Sequence, residues 1–285
     1  MKKKIIKINF NHSFIFFLVC NILSFLILKF KNLTISPVIC LGLILIIGVS
    51  HGSLDHIKGR KLLEVFKLDN VIIFYITYIS IAIAIVILWL LIPAISLIIF
   101  LIIASFHFGK EDTQFLINGN SYFYQFLYFL KGTLIIISPI YFHFDETVSI
   151  FKLLLIENEL FYLSLHFIES NRILQIGIIL STLSSIYLFI KDFELRKLTI
   201  FLDYFSILIL NYYFPPLLAF TIYFCFLHSI RHSITLMFEL NENNLNEGFK
   251  KFVIKAIPLT FLTGVLCLII IYFLNNNYGL NSSIL

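Results

Sequence analysis

Long apolar runs separated by short charged connectors set the pattern of the chain. The runs fall at about residues 13–28, 33–50, 71–91, 94–108, 121–142, 173–190, 199–214, 216–233 and 253–274. A helix crossing a hydrocarbon core of about 30 Å needs roughly 20 apolar residues, and stray backbone groups find no water there. The pattern therefore predicts an all-α, polytopic membrane bundle of about 8–9 transmembrane helices. Residues 71–109 carry no Asp, Glu, Lys or Arg and are too long for one crossing, so Pro93 is the expected break between two helices. Pro215-Pro216 is expected to make a second tight turn. Residues 149–167 mix Lys152, Glu157 and Glu159 with leucine and phenylalanine, and are expected to lie in the interface rather than cross. No internal repeat is evident, so residues 1–285 are read as a single membrane-embedded domain with a polar end from Asn275.

Composition sharpens this picture. Hydrophobic residues make up 60% of the chain and charged residues 13%, against about 45–50% and about 25% in soluble domains. An ordinary soluble globule is excluded. The net charge of +5 sits in connectors, where it orients spans and gives no sign of a nucleic-acid partner. A cytoplasmic N-terminus, with 149–167 not crossing, places almost all cationic connectors inside: Lys2, Lys3, Lys4 and Lys7; Lys58, Arg60, Lys61 and Lys67; Lys110; Lys191, Arg196 and Lys197; Lys250, Lys251 and Lys255. Lys29 and Lys31 stay outside. A multi-pass protein of the inner (plasma) membrane is expected. The lysine-rich start lacks a small-residue cleavage site, so a retained first span is expected rather than a signal peptide. Cys20, Cys40, Cys225 and Cys267 lie in apolar runs without CxxC spacing and read as packing residues.

The candidate chemistry lies in the histidines. Five of eight sit in three motifs: His51-Gly-Ser-Leu-Asp55-His56, Ser105-Phe-His107-Phe-Gly109 and His228-Ser-Ile-Arg231-His232. Ionisable groups inside spans are costly and are functional suspects. Counted from the two proline turns, His107 lies roughly 21 Å deep and His228 and His232 roughly 18 and 24 Å deep. His51 closes its own span at a similar depth. Three helices thus bring imidazoles to one layer, and His228 and His232, four apart, project from one face. For a lone membrane histidine, an interhelical hydrogen bond is the competing explanation. Four at one depth point instead to a metal, and imidazoles without thiolate suit iron, copper or zinc. Asp55 and Asp112, four and five residues beyond His51 and His107, could accept a ligand's remaining ring N–H, or could be solvated loop charges.

The other histidines are read differently. His12, His143 and His166 fit interfacial roles. His56 lies about 140° round a helix from His51, so both can serve one metal only if Gly52 breaks the helix. Lys131 and Asp203 interrupt apolar spans and are expected to snorkel or pair.

The three motifs, in this order on a helical membrane scaffold, resemble the Brp/Blh family of bacterial and archaeal β-carotene dioxygenases. The resemblance rests on His51-Gly52 with Asp55, on His107-Phe108-Gly109 with Asp112, and on Tyr223-Phe-Cys-Phe-Leu-His228-Ser229 with Arg231-His232. It runs from about Gly48 to the last span. It implies cleavage of the central 15,15' double bond of β-carotene to two all-trans-retinal, with O2 as co-substrate and Fe(2+) as cofactor. The implied ligands are His51, His107, His228 and His232. The implied partners are β-carotene, O2, the lipid bilayer and a rhodopsin receiving the retinal. Family members continue into a further hydrophobic segment where this chain stops at Leu285, a departure bearing on the substrate channel rather than the ligands.

A polyene dissolves only in the bilayer, so it is expected to enter sideways and lie oblique in an apolar tunnel, to which 33 phenylalanines and 14 tyrosines can contribute. Three other classes accommodate the histidines. Membrane desaturases and hydroxylases carry more numerous HxxHH-like clusters, a metal or proton transporter would favour carboxylates within several spans, and an assembly factor would need no chemistry.

Overall fold

The structure is a computed structural model that describes residues 2–29, 36–48, 52, 54–67, 70–117, 119–154 and 156–278. Every regular element among them is helical. In chain order these are α1 (Lys2–Lys29), α2 (Pro37–Leu43) running into a π turn (Ile44–Gly48), α3 (Asp55–Val65), α4 (Val71–Leu91), α5 (Pro93–Glu111) and α6 (Tyr122–Phe142). Then follow α7 (Phe144–Leu153), α8 (Glu159–Ser170), α9 (Ile173–Ile190), a 3-10 turn (Leu195–Leu198) and α10 (Thr199–Tyr213). The last are α11 (Pro216–Ile222), a π segment (Tyr223–Ser229), α12 (Ile230–Leu240) and α13 (Leu245–Tyr278). Seven described helical stretches are long and apolar enough to cross a membrane. The chain is a polytopic membrane protein.

Local sequence explains the helix limits. Pro93 and Pro216 open α5 and α11, where a missing N–H costs nothing. Ser36, Ser121 and Asn158 cap α2, α6 and α8 by accepting from the backbone N–H of Val38, Tyr124 and Phe161. The mixed stretch 149–167 falls within two short helices, α7 and α8, neither long enough to cross. Among the described residues of the run at 33–50 the helical elements are α2 and its π turn, and the run at 199–214 yields α10, whose 15 residues rise about 22 Å. The first helix starts at Lys2, not at residue 13. Ile6, Asn9, Ser13, Phe16, Cys20 and Ser24 form one buried stripe along it, and a charge-free window sees only the hydrocarbon part of such a helix. Likewise α13 begins at Leu245 and carries its lysines within the helix.

The chain divides into two compact units. One comprises Lys2–Leu33 and Ala84–Tyr223. Its core gathers Ala94, Leu97, Ile140, Phe151, Phe161 and Leu174. Here α5 and α6 cross at backbone contact: a Cβ on Gly109 would overlap the carbonyl of Tyr128, and one on Gly132 the carbonyl of Ser105. Small residues permit such approaches where no water drives helices together. Ser184 and Ser181 of α9 donate to the carbonyls of Leu127 (2.7 Å) and Lys131 (3.2 Å) on α6. Lys131 and Asp203 are both buried, so Lys131 does not snorkel.

The other unit comprises Met1, Thr34–Ile83 and Phe224–Leu285. Its core is Leu54, Leu236, Phe252 and Ala256. α12 and α13 turn back on each other at Gly248, where a Cβ would strike the carbonyl of Met237. No residue of α4 is buried, as befits a helix facing lipid tails.

Candidate metal centre and substrate site

His228 and His232 are the best-placed donors among the described residues. They are 1% and 8% exposed within one apolar span. A straight α-helix over 216–233, expected from hydrophobicity, is not what forms: the helix widens into a π segment from Tyr223 to Ser229 that carries His228. The wider turn also climbs less per residue, so simple depth counting places His228 and His232 too far from Pro216. Such π turns cluster at functional positions. The imidazole of His228 stacks on Phe224, ring centroids 5.8 Å apart and planes 17° from parallel. The Phe224 ring also occupies the space beside Gly48, where a Cβ would collide with it. Gly48 ends the first π turn, three residues before His51. His51 itself lies outside the described residues.

Lys58 of α3 places Nζ 3.5 Å from His232 Nε2. A lysine ammonium can only donate, so that ring nitrogen is the acceptor in this contact. Any metal at Nε2 would require the exposed Lys58 chain to swing aside. Lys58 was legible from sequence only as a connector charge. Asp55 opens α3 and accepts from the Tyr78 hydroxyl at 3.4 Å. The same α3 includes His56, whose side chain lies outside the described residues.

In the other unit, His107 is exposed on α5 beside Phe108, ring centroids 5.7 Å apart. Asp112, which ends α5, is 3% exposed and accepts from the Tyr223 hydroxyl at 2.6 Å. Tyr223 is 2% exposed and meets Phe108 edge-on at 5.6 Å. Phe108 also meets Phe220 of α11. The end of the His107 helix is thus packed against the helix that leads into the π segment of His228. Sequence reasoning missed Tyr223 as a partner of Asp112. The two are 111 positions apart, and no local pattern links them.

Two of the three remaining histidines sit beside glutamates: His143 Nδ1 is 3.9 Å from Glu146, and His166 Nδ1 is 3.8 Å from Glu169, whereas His12 lies half-buried within α1 rather than ahead of it. Both pairs lie at the ends of short helices, in keeping with interfacial roles. Among the described residues, no group of three or more His, Cys, Asp or Glu side chains gathers to hold a metal. Two buried imidazoles four residues apart, His228 and His232, with the buried Cys225 three residues before the first, are a donor set that suits iron, copper or zinc.

Two apolar recesses open in the unit that holds these two histidines. One, of about 460 Å³, lies along α2 and α13 and is lined by Gly42, Ile46, Phe261, Gly264 and Leu268. No atom lies within 4 Å of a Cβ built on Gly42 or Gly264. The second, also about 460 Å³, lies beside Asp55 and is lined by Phe74, Tyr78, Pro258 and Leu262. Both fall in the size range of ligand pockets.

The span of sequence carrying all three histidine motifs is also what relates this chain to known proteins. Residues 42–285 match the family model for beta-carotene 15,15'-dioxygenase. The chain belongs to this family. A curated relative, the beta-carotene 15,15'-dioxygenase of uncultured marine bacterium 66A03, is 26% identical over 202 residues, covering 67% of this chain and 66% of that protein. The chain thus spans about two thirds of that relative's length. No solved structure matches. Carotene cleavage is the activity that the family's name carries.

Proposed function

We propose that the chain cleaves the central 15,15' double bond of β-carotene with O2 to give two all-trans-retinal, using Fe(2+) held by His51, His107, His228 and His232. The observation that carries this reading is the Phe224 ring, which stacks on His228 and fills the space at Gly48, three residues before His51. Gly48, in the segment that leads to the first histidine motif, thus packs beside the ring that flanks His228 in the third, which supports a shared site. The reaction balances without an added reductant: one C=C and one O=O bond are lost and two C=O bonds form. Iron, when bound, would supply the activation of O2.

The chain's own residues supply the rest. His228 and His232 present imidazole nitrogens from a buried helical face. Asp55 and Asp112 are held by tyrosine hydroxyls, which fixes their carboxylates. The open apolar recess along α2 and α13 offers a lateral approach for a polyene that dissolves only in lipid. In this reading the protein resides in the inner membrane with its N-terminus cytoplasmic, and the retinal is available to a rhodopsin.

Expression in bacteria that accumulate β-carotene tests the proposal. Retinal should appear as the carotene is lost. Membrane-inserted protein that leaves the carotene intact would contradict it.

A further inference from the structure

A second site of a different kind lies in the unit of Lys2–Leu33 and Ala84–Tyr223. A cavity of about 520 Å³ is lined by Lys3, Arg196, Lys197, Asp192, Glu194 and Tyr124. Its walls come from the first turn of α1, the connector after α5, the start of α6 and the connector between α9 and α10. All are helix ends, so the cavity lies where spans leave the hydrocarbon. The α9–α10 connector marks that level independently. Phe193 and Leu195 flank Glu194 and are 60% and 71% exposed, as expected of apolar anchors at the lipid interface.

The charges lining the cavity are of both signs. Lys197 donates its ammonium to the carbonyl of Lys191. Among the described residues, neither Lys3 nor Arg196 forms an ion pair with Asp192 or Glu194 within 4.0 Å. Opposite charges that share a cavity without joining suit a ligand carrying both. From this juxtaposition we propose that the cavity binds the phosphoethanolamine headgroup of a membrane phospholipid. Lys3, Arg196 and Lys197 face its phosphate, and Asp192 and Glu194 face its ammonium. Basic pockets at helix ends commonly hold lipid phosphates. Two carboxylates disfavour a purely anionic phosphoglycerol headgroup, and a trimethylammonium has no N–H to offer them. The acyl chains would follow the exposed apolar flank of the connector. A dissolved phosphate ion shares the phosphate chemistry but lacks both the ammonium and the tails.

Native mass spectrometry of the full chain, released from bilayer nanodiscs of stated composition, tests this. Phosphatidylethanolamine should be retained in preference to phosphatidylglycerol and phosphatidylcholine. Arg196→Gln should cut that retention by about tenfold or more, as expected for loss of a charge-assisted hydrogen bond. The double variant Asp192→Asn/Glu194→Gln should reverse the preference toward phosphatidylglycerol, a gain that a misfolded protein cannot produce. Equal retention of the three lipids by the wild type, an unaltered preference in the double variant, or displacement of the lipid by millimolar inorganic phosphate would overturn the proposal.

Discussion

Tyr223→Phe removes one hydroxyl and leaves the ring. The edge-on contact with Phe108 at 5.6 Å survives, and the variant isolates the bond to Asp112. At 2.6 Å that bond has the length of an O–H donor meeting an ionised carboxylate. Both partners are buried, and they lie on α5 and at the end of the helix from Pro216. Hydrogen bonds to charged groups contribute about 1.5–3 kcal/mol in soluble proteins, whereas those measured in a membrane bundle average about 0.6 and reach about 1.7 kcal/mol. Full burial and the short distance place this bond near the upper membrane value, about 1–2 kcal/mol. For a chain of this size the loss corresponds to a thermal midpoint about 2–6 °C lower. Thermal unfolding of detergent-solubilised protein measures it, with Asp112→Asn and the double variant completing a cycle. Single variants that each lose stability while the double loses no more would confirm the coupling. A Tyr223→Phe midpoint within about 1 °C of wild type would refute the reasoning. Because Tyr223 opens the π segment of His228, retinal formation should slow in the same variant.

His228→Ala or His232→Ala should abolish retinal formation while the protein still inserts, since span hydrophobicity barely changes; retinal assay together with membrane fractionation checks both halves. His56→Ala should be milder, and equal loss at His56 and His51 would mean that the first motif supplies a different ligand. Gly264→Phe should fill the recess along α2 and α13, where nothing lies within 4 Å of the new Cβ, and slow cleavage of β-carotene without lowering the melting midpoint; unaltered turnover would exclude that recess as the substrate path. Gly132→Val should instead unfold the α5–α6 crossing, because its side chain would overlap the Ser105 carbonyl, and should show as loss of monodisperse protein on size-exclusion chromatography.

Sequence revealed what depends on composition over many residues. Pro93 and Pro216 do open helices, and 149–167 does form short helices rather than a span. It missed what depends on a partner or on local register. Neither π segment could be read from hydrophobic spacing, because both lie within continuous apolar runs. Charge-free windows trimmed α1 and α13, whose lysine-bearing turns remain helical beyond the hydrocarbon. Asp112 was singled out for its distance from His107; the Tyr223 hydroxyl that donates to it is remote in sequence and left no local signal. Lys58 was counted only as an orientation charge, whereas it reaches His232.

The central claim is iron-dependent cleavage through the histidines, and metal content measured beside turnover tests it most directly. Detergent-purified wild-type protein, loaded with Fe(2+) without oxygen and then desalted, should retain about one iron per chain. On adding β-carotene and O2 it should form two retinal per carotene consumed. The His228→Ala/His232→Ala variant should retain neither iron nor activity. Undiminished retinal formation by iron-free wild-type protein, or by that double variant, would contradict the claim.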